Sequence, residues 1–166
     1  MSDRDKGFTD YFASRSSAMR GTAFLLCGDW HRAEDIVQTA FVKLYRAWNR
    51  VTRHEVLDAY ARQILIRTFL DETRRGFFHR EQPTAEDTDR AVHDERGIED
   101  RMVLLRALAQ VPPRQRAVLV LRYWEDLSIE ETAKALRCTA GTVKSQAARG
   151  LDAMRDLVPT YKETYT

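Results

Sequence analysis

LSIEETAKALRCTAGTVKS, residues 127–145, reads as two short helices with a three-residue break between them. Ser128 stands three residues before Glu131, the spacing at which a hydroxyl and a carboxylate satisfy each other's free backbone N–H groups at a helix start. Ile129, Ala133 and Leu136 then fall on one face, and Glu130, Glu131 and Lys134 fall elsewhere. Arg137 and Cys138 break the pattern. Thr139 is placed to cap a second helix, whose apolar stripe is Val143, Ala147, Leu151 and Met154. This is the spacing of a helix-turn-helix.

At about 100° per residue, Gly141, Thr142, Ser145 and Arg149 lie opposite that stripe, with Lys144 and Gln146 on its flanks. Four basic residues and no acidic one occur from Lys134 to Arg149, in a chain of net charge +2. A slim, donor-rich, cationic helix face suits the DNA major groove, with Arg matched to guanine, Gln to adenine and Lys to phosphate. A helical hairpin with a solvated basic face has the same spacing, so these nineteen residues leave both readings open.

The chain's 166 residues hold one ordinary domain or two small ones. Its charge divides them. Residues 1–80 carry 14 basic and 10 acidic side chains, residues 81–100 carry 2 and 8, and residues 101–166 carry 11 and 7. The acidic stretch EQPTAEDTDRAVHDERGIED contains Pro83 and shows no helical stripe before Ile98, so it reads as a flexible linker between two helical domains. The expected division is a first domain over 1–80, a linker over 81–97, a second domain over 98–158 and a tail over 159–166.

The longest apolar runs, AFLLC at 23–27 and AVLVL at 117–121, are far shorter than the roughly 20 residues that span a bilayer. The start, MSDRDKGFTD, is polar where a signal peptide is apolar, so a cytoplasmic location is expected. Cys27, Cys138, His31, His54, His79 and His93 have no metal-ligand spacing, and no phosphate loop, nucleophile elbow or zincin pattern is present. Neither a metal, a cofactor nor a catalytic constellation is expected.

In the first domain Phe8, Tyr11 and Phe12 open an apolar stripe that runs through Met19, Phe24 and Leu25. Gly28-Asp29 ends that helix and starts the next. Val37, Phe41, Leu44, Tyr45 and Trp48 then form a second stripe, with Glu34, Asp35, Gln38 and Thr39 on the other side. That polar face is either a solvated surface or a partner's seat. After a loop over 49–55, a helix from Leu57 to Phe69 runs into DETRRGFFHRE, which brings Arg62, Arg67, Arg74, Arg75 and Arg80 close to Tyr60, Phe69, Phe77 and Phe78. Arginines for phosphate and aromatics for bases suit a single strand, although aromatic residues on a helix also serve a core. In the second domain Ile98, Met102, Leu105 and Leu108 share a face, Pro113 opens a further helix, and RQRAVLVLRYW is apolar enough to be the central packing element.

Three runs, GDWHRAEDIVQTAFVKLYRAW, DAYARQILIRTFLDETRR and VPPRQRAVLVLRYWEDLSIEETAKALRCTAGTVKSQAARGLDAMR, resemble the extracytoplasmic-function (ECF) RNA polymerase sigma factors, of the SigE-like actinobacterial kind, in that family's order and spacing. The resemblance implies an all-α protein with two small domains, regions 2 and 4. It implies that Glu34, Asp35, Gln38 and Thr39 meet the clamp helices of the largest subunit of core RNA polymerase, and that region 4 also touches the polymerase flap. Asn49, Arg53, Tyr60, Arg62, Arg67, Arg74 and Arg75 would engage the minus-10 promoter DNA and its opened strand. Thr139, Gly141, Thr142, Lys144, Ser145, Gln146 and Arg149 would read duplex DNA at minus-35. An anti-sigma factor is implied as a further partner, with no insertion of the chain itself into a membrane. Three positions depart from the family's habit: Arg137 where Gly is common, Gln146 where Arg is common, and Tyr60 where Trp is common. A stand-alone helix-turn-helix regulator and a sigma-mimicking interaction protein are the alternative readings. A receiver-type regulator would alternate strands and helices in its first half, which this chain does not.

Overall fold

The computed structural model describes residues 1–51, 54–76 and 95–158, and every regular element among them is helical. The first unit holds α1 (Asp3–Cys27), α2 (Trp30–Ala47) and α3 (His54–Arg74), with a short 3-10 turn at Trp48–Arg50. The second holds α4 (Glu95–Gln110), α5 (Pro113–Leu119), α6 (Ile129–Leu136) and α7 (Ala140–Leu157); α5 runs on through a π-helical turn at Val120–Trp124.

Local chemistry sets the boundaries. Gly28 closes α1 in the left-handed region at φ 77°, and its N–H donates to the Phe24 carbonyl. The Asp29 carboxylate then accepts from the His31 and Arg32 N–H groups and opens α2. Ser128 accepts from Glu131 N at 3.0 Å and Thr139 from Thr142 N at 3.1 Å, so both hydroxyl caps of the 127–145 stretch form, while the return bond from the Ser128 N–H to the Glu131 carboxylate is absent among the described residues. Pro113 occupies the first turn of α5. Two boundaries differ from expectation. α3 begins at His54 and continues to Arg74, because Asp71-Glu72-Thr73-Arg74 tolerates a helix and Gly76 at φ 73° ends it. α4 begins at Glu95, so residues 95–97 belong to a helix; residues 81–94, like 77–80 and 159–166, lie outside the described residues.

The first unit buries Leu26, Ile36, Val37, Phe41, Leu44, Leu65, Ile66 and Phe69. Each such side chain contributes about 1.5–3 kcal/mol by leaving water. Phe8 meets Phe41, Tyr45 and Trp48 edge-on at centroid separations of 6.0, 5.0 and 5.5 Å, and seals one end of this core. Two members of the expected stripes stay outside: Phe12 is 41% exposed, and Tyr45 is 37% exposed with its hydroxyl donating to Asp5. Ile36 and Ala40 take the inward positions instead. In the second unit Val111, Val118, Leu121 and Val143 are almost fully buried. Gly150 of α7 lies against Leu119, where an added Cβ would sit 3.0 Å from its Cγ and Cδ1; the glycine sets how closely α5 and α7 approach. Tyr123 and Trp124 at the end of the central apolar run are exposed.

The two units are packed against each other, and their buried side chains form one continuous cluster. Arg116 donates from Nη1 to the Leu26 carbonyl at 2.6 Å, and its guanidinium lies 5.9 Å from the Phe69 ring centroid. Thr22, buried within α1, donates to Glu125 Oε1 at 2.5 Å, and Arg62 Nε donates to Glu125 Oε2 at 3.3 Å.

Candidate nucleic-acid interface

The helix-turn-helix is built around an unusual residue. Arg137 closes α6 at φ 52°, ψ 49°, the left-handed conformation normally given to glycine, and its N–H reaches the carbonyls of Ala133 and Lys134. Thr139 then starts α7, with its hydroxyl 2.9 Å from that of Thr142. Behind the turn Val143 is fully buried, which fixes the rotation of α7 and turns Gly141, Lys144, Ser145 and Arg149 to solvent. The Ser145 hydroxyl donates to the Thr142 carbonyl, so its oxygen faces outward as an acceptor. Gln146, expected on a flank of that face, is half-buried in a cleft lined also by Arg67 and Arg137.

The residues assigned to the opened strand are more scattered. Asn49 is exposed in the 3-10 turn at one end of α3, and Arg74 and Arg75 are exposed at the other. A 21-residue helix separates them, about 32 Å long. Arg74 also forms an ion pair with Asp71 at 2.6 Å. Arg53 lies outside the described residues, as do Phe77, Phe78 and Arg80. Tyr60 and Arg62 share a cleft with Leu127, Glu131 and Lys134 of the second unit. Phe69 is no stacking platform: it is 1% exposed, because Leu65, Ile66 and Phe69 continue the inward face of α3.

On α2, Asp35 and Gln38 are exposed, Thr39 is half-buried, and Glu34 is held by Arg20 at 2.9 Å within the same unit. The spacing of α2 does not disclose a neighbour from α3: burial first, then the nearby Asp35 carboxylate, raise the Glu72 carboxyl above its ordinary value, while Lys43 works against the shift. Lys43 donates to Thr68 Oγ1 at 3.1 Å, so α2 and α3 jointly present a mixed-charge face. Glu125, Thr22 and Arg116, which join the two units, also escaped the sequence reading, because their partners lie 63 to 103 residues away.

Residues 12–76 match the family model of sigma-70 region 2, and residues 101–154 match that of sigma-70 region 4. The RNA polymerase sigma-E factor of Streptomyces avermitilis is 39% identical over 150 residues, covering 90% of this chain and 83% of that protein. The chain belongs to the ECF sigma factors. The sigma-E factor of Streptomyces coelicolor is 37% identical over 90% of this chain and 84% of its own length, and the ECF sigma factor SigE of Mycolicibacterium smegmatis is 33% identical over 81% and 54%. The fold is shared with the sigma factor RpoE from Bartonella quintana, solved in complex with the anti-sigma factor NepR, at a TM-score of 0.72 and 24% identity, over 97% of this chain and 99% of that one. In these terms α1–α3 are region 2 and α4–α7 are region 4. The arrangement described above is a closed sigma factor, in which region 4 lies on the α3 face that carries Tyr60, Arg62 and Arg67. Among the described residues no helix is long and apolar enough to cross a membrane, and no group of His, Cys, Asp and Glu is placed to hold a metal ion.

Proposed function

We propose that this ECF sigma factor binds core RNA polymerase through Glu34, Asp35, Gln38 and Thr39, and directs it to promoters by reading minus-35 with α7 and minus-10 with region 2. The observation that supports this reading is the α7 face itself: Gly141, Lys144, Ser145 and Arg149 are exposed on a helix whose start is fixed by the Thr139 cap and the Arg137 turn. Thr139, Thr142 and Gln146 border that face. Asn49, Arg53, Tyr60, Arg62, Arg67, Arg74 and Arg75 serve minus-10, where opened bases need contacts that offset about 1.4 kcal/mol of lost stacking per base-pair step.

Arg62 and Arg67 reach a DNA strand only after region 4 has left α3, so promoter binding follows opening of the closed form. Polymerase supplies the chemistry, and the sigma factor acts in the cytoplasm without a catalytic residue or cofactor of its own. A net charge of only +2 keeps its unaided attraction to DNA weak until it joins the enzyme. An anti-sigma factor completes the expected set of partners.

Run-off transcription with purified core polymerase and a promoter library tests the assignment. Initiation that depends on both elements supports it; core binding without initiation points to a sigma mimic, and promoter binding without either points to a stand-alone regulator.

A further inference from the structure

Where region 4 meets region 2, a cleft of about 600 Å³ remains between the C-terminal half of α3, the start of α5 and the helix-turn-helix. Arg67 and Arg74 line it from one region, and Arg114 and Arg137 from the other. Asp71 is the one carboxylate on its wall and is already held by Arg74 at 2.6 Å. Among the described residues Arg67, Arg114 and Arg137 enter no ion pair.

Two of its lining residues, each only half-buried, keep one polar atom closed off from solvent and without a hydrogen-bond partner among the described residues: Nη2 of Arg67 and Oε1 of Gln146. Burial first, then the nearby charge of Arg137, disfavour the charge on Arg67, while Tyr60 and Asp71 work against the shift. Cations from two regions thus face each other across a cleft whose one carboxylate, Asp71, is already paired with Arg74. An oxyanion is the group that would offset the repulsion between Arg67 and Arg137, since a guanidinium fork matches a phosphate with two parallel hydrogen bonds.

We propose that this cleft is a binding site for a phosphate-bearing small molecule, gripped by Arg67, Arg114, Arg137 and Gln146. Its volume falls in the range of small-ligand sites, and Leu70, Leu136 and Pro112 give the remainder of such a ligand an apolar wall. Because the walls come from both regions, the ligand stabilises the closed form over the open one and keeps Arg67 and Gln146 away from DNA. The proposal rests on the closed packing and does not depend on which promoter is read.

The test is calorimetric titration of the full chain with inorganic pyrophosphate at constant ionic strength. One saturable site is expected, with affinity about tenfold lower in Arg67→Gln and in Arg137→Gln, since each removes a charge-assisted hydrogen bond. Arg137→Lys, which keeps the charge and loses the fork, should fall between wild type and Arg137→Gln, and it also guards against a folding defect in the glutamine variant. Arg155→Gln, at the far exposed end of α7, should bind as wild type does. Absence of a saturable site overturns the proposal, and so does an equal loss in Arg155→Gln, which would mean diffuse surface attraction. A short random duplex that binds through Arg67 and Arg137 when pyrophosphate does not would also overturn it, reassigning the arginines to the DNA backbone.

Discussion

Arg62 of region 2 donates to Glu125 of region 4 across 3.3 Å, and the other oxygen of the same carboxylate accepts from Thr22 at 2.5 Å. One residue of region 4 thereby occupies a cation expected to serve the opened DNA strand and a hydroxyl buried in α1. Both Arg62 and Glu125 side chains are 23% exposed, so the pair is screened less than a surface ion pair and depends on each partner's presence.

Glu125→Ala leaves the Arg62 charge and the Thr22 hydroxyl without that partner at a packed boundary. The expected loss is about 1–3 kcal/mol of stability with a larger radius of gyration in solution, read by denaturant melts and small-angle scattering. An unchanged radius would mean that the apolar contacts alone hold the regions together.

Arg149→Ala removes an exposed cation from α7 without touching its buried side. Binding at minus-35 should weaken by about 1–3 kcal/mol while core polymerase is retained. Footprinting at graded sigma concentrations measures the first, and co-purification the second.

Asp35 and Gln38 lie exposed on α2 of region 2. Changing both to Ala should lower affinity for core polymerase about tenfold or more, with helix content unchanged. Wild-type affinity in a pull-down titration would assign that face to solvent.

Arg137→Gly relieves a left-handed backbone conformation that costs a residue with a Cβ about 1 kcal/mol or more. It also removes the charge that faces Arg67. The variant should be more stable than wild type in guanidinium melts, in contrast to most substitutions at a helix end.

Cys27 donates to the Asp29 carbonyl, and burial pushes its thiol up to about 12 from an ordinary value of 9.0. Below about pH 9 the thiol is protonated in both folded and unfolded chains, and its contribution to stability is fully present. Between about pH 9 and 12 the unfolded chain loses the proton and the folded one keeps it, so stability falls by up to about 1.4 kcal/mol per pH unit. Melts over that range should show a shallower decline in Cys27→Ala.

What the chain discloses in one dimension is what its neighbours along the chain decide. The caps at Asp29, Ser128 and Thr139 and the stops at Gly28 and Arg137 involve partners within a turn, so the helix-turn-helix was legible down to its strained residue. Inward and outward faces were legible where period 3.6 had no rival, as at Val37, Phe41 and Leu44. Phe69 and Tyr45 exchanged the expected roles because burial on α2 and α3 is settled by a neighbouring helix. The closed packing had no local signal: Arg116 reaches a carbonyl 90 residues earlier in the chain, and Glu125 a hydroxyl 103 residues earlier. Gln146 was legible only as a flank residue of α7, and its place beside Arg67 follows from that packing.

The π-helical turn at Val120–Trp124 amounts to one residue inserted into the α5 ladder, which advances everything after it by about 100° around the helix axis. Before the turn and at its start, Ala117, Val118 and Leu121 keep to the interior; at its end Tyr123 and Trp124 face solvent, and Glu125 just after it reaches Thr22 and Arg62. The phase slip is what lets a single continuous segment be central to region 4 and also reach region 2, with its aromatic pair left facing outward as the cost of aiming one carboxylate.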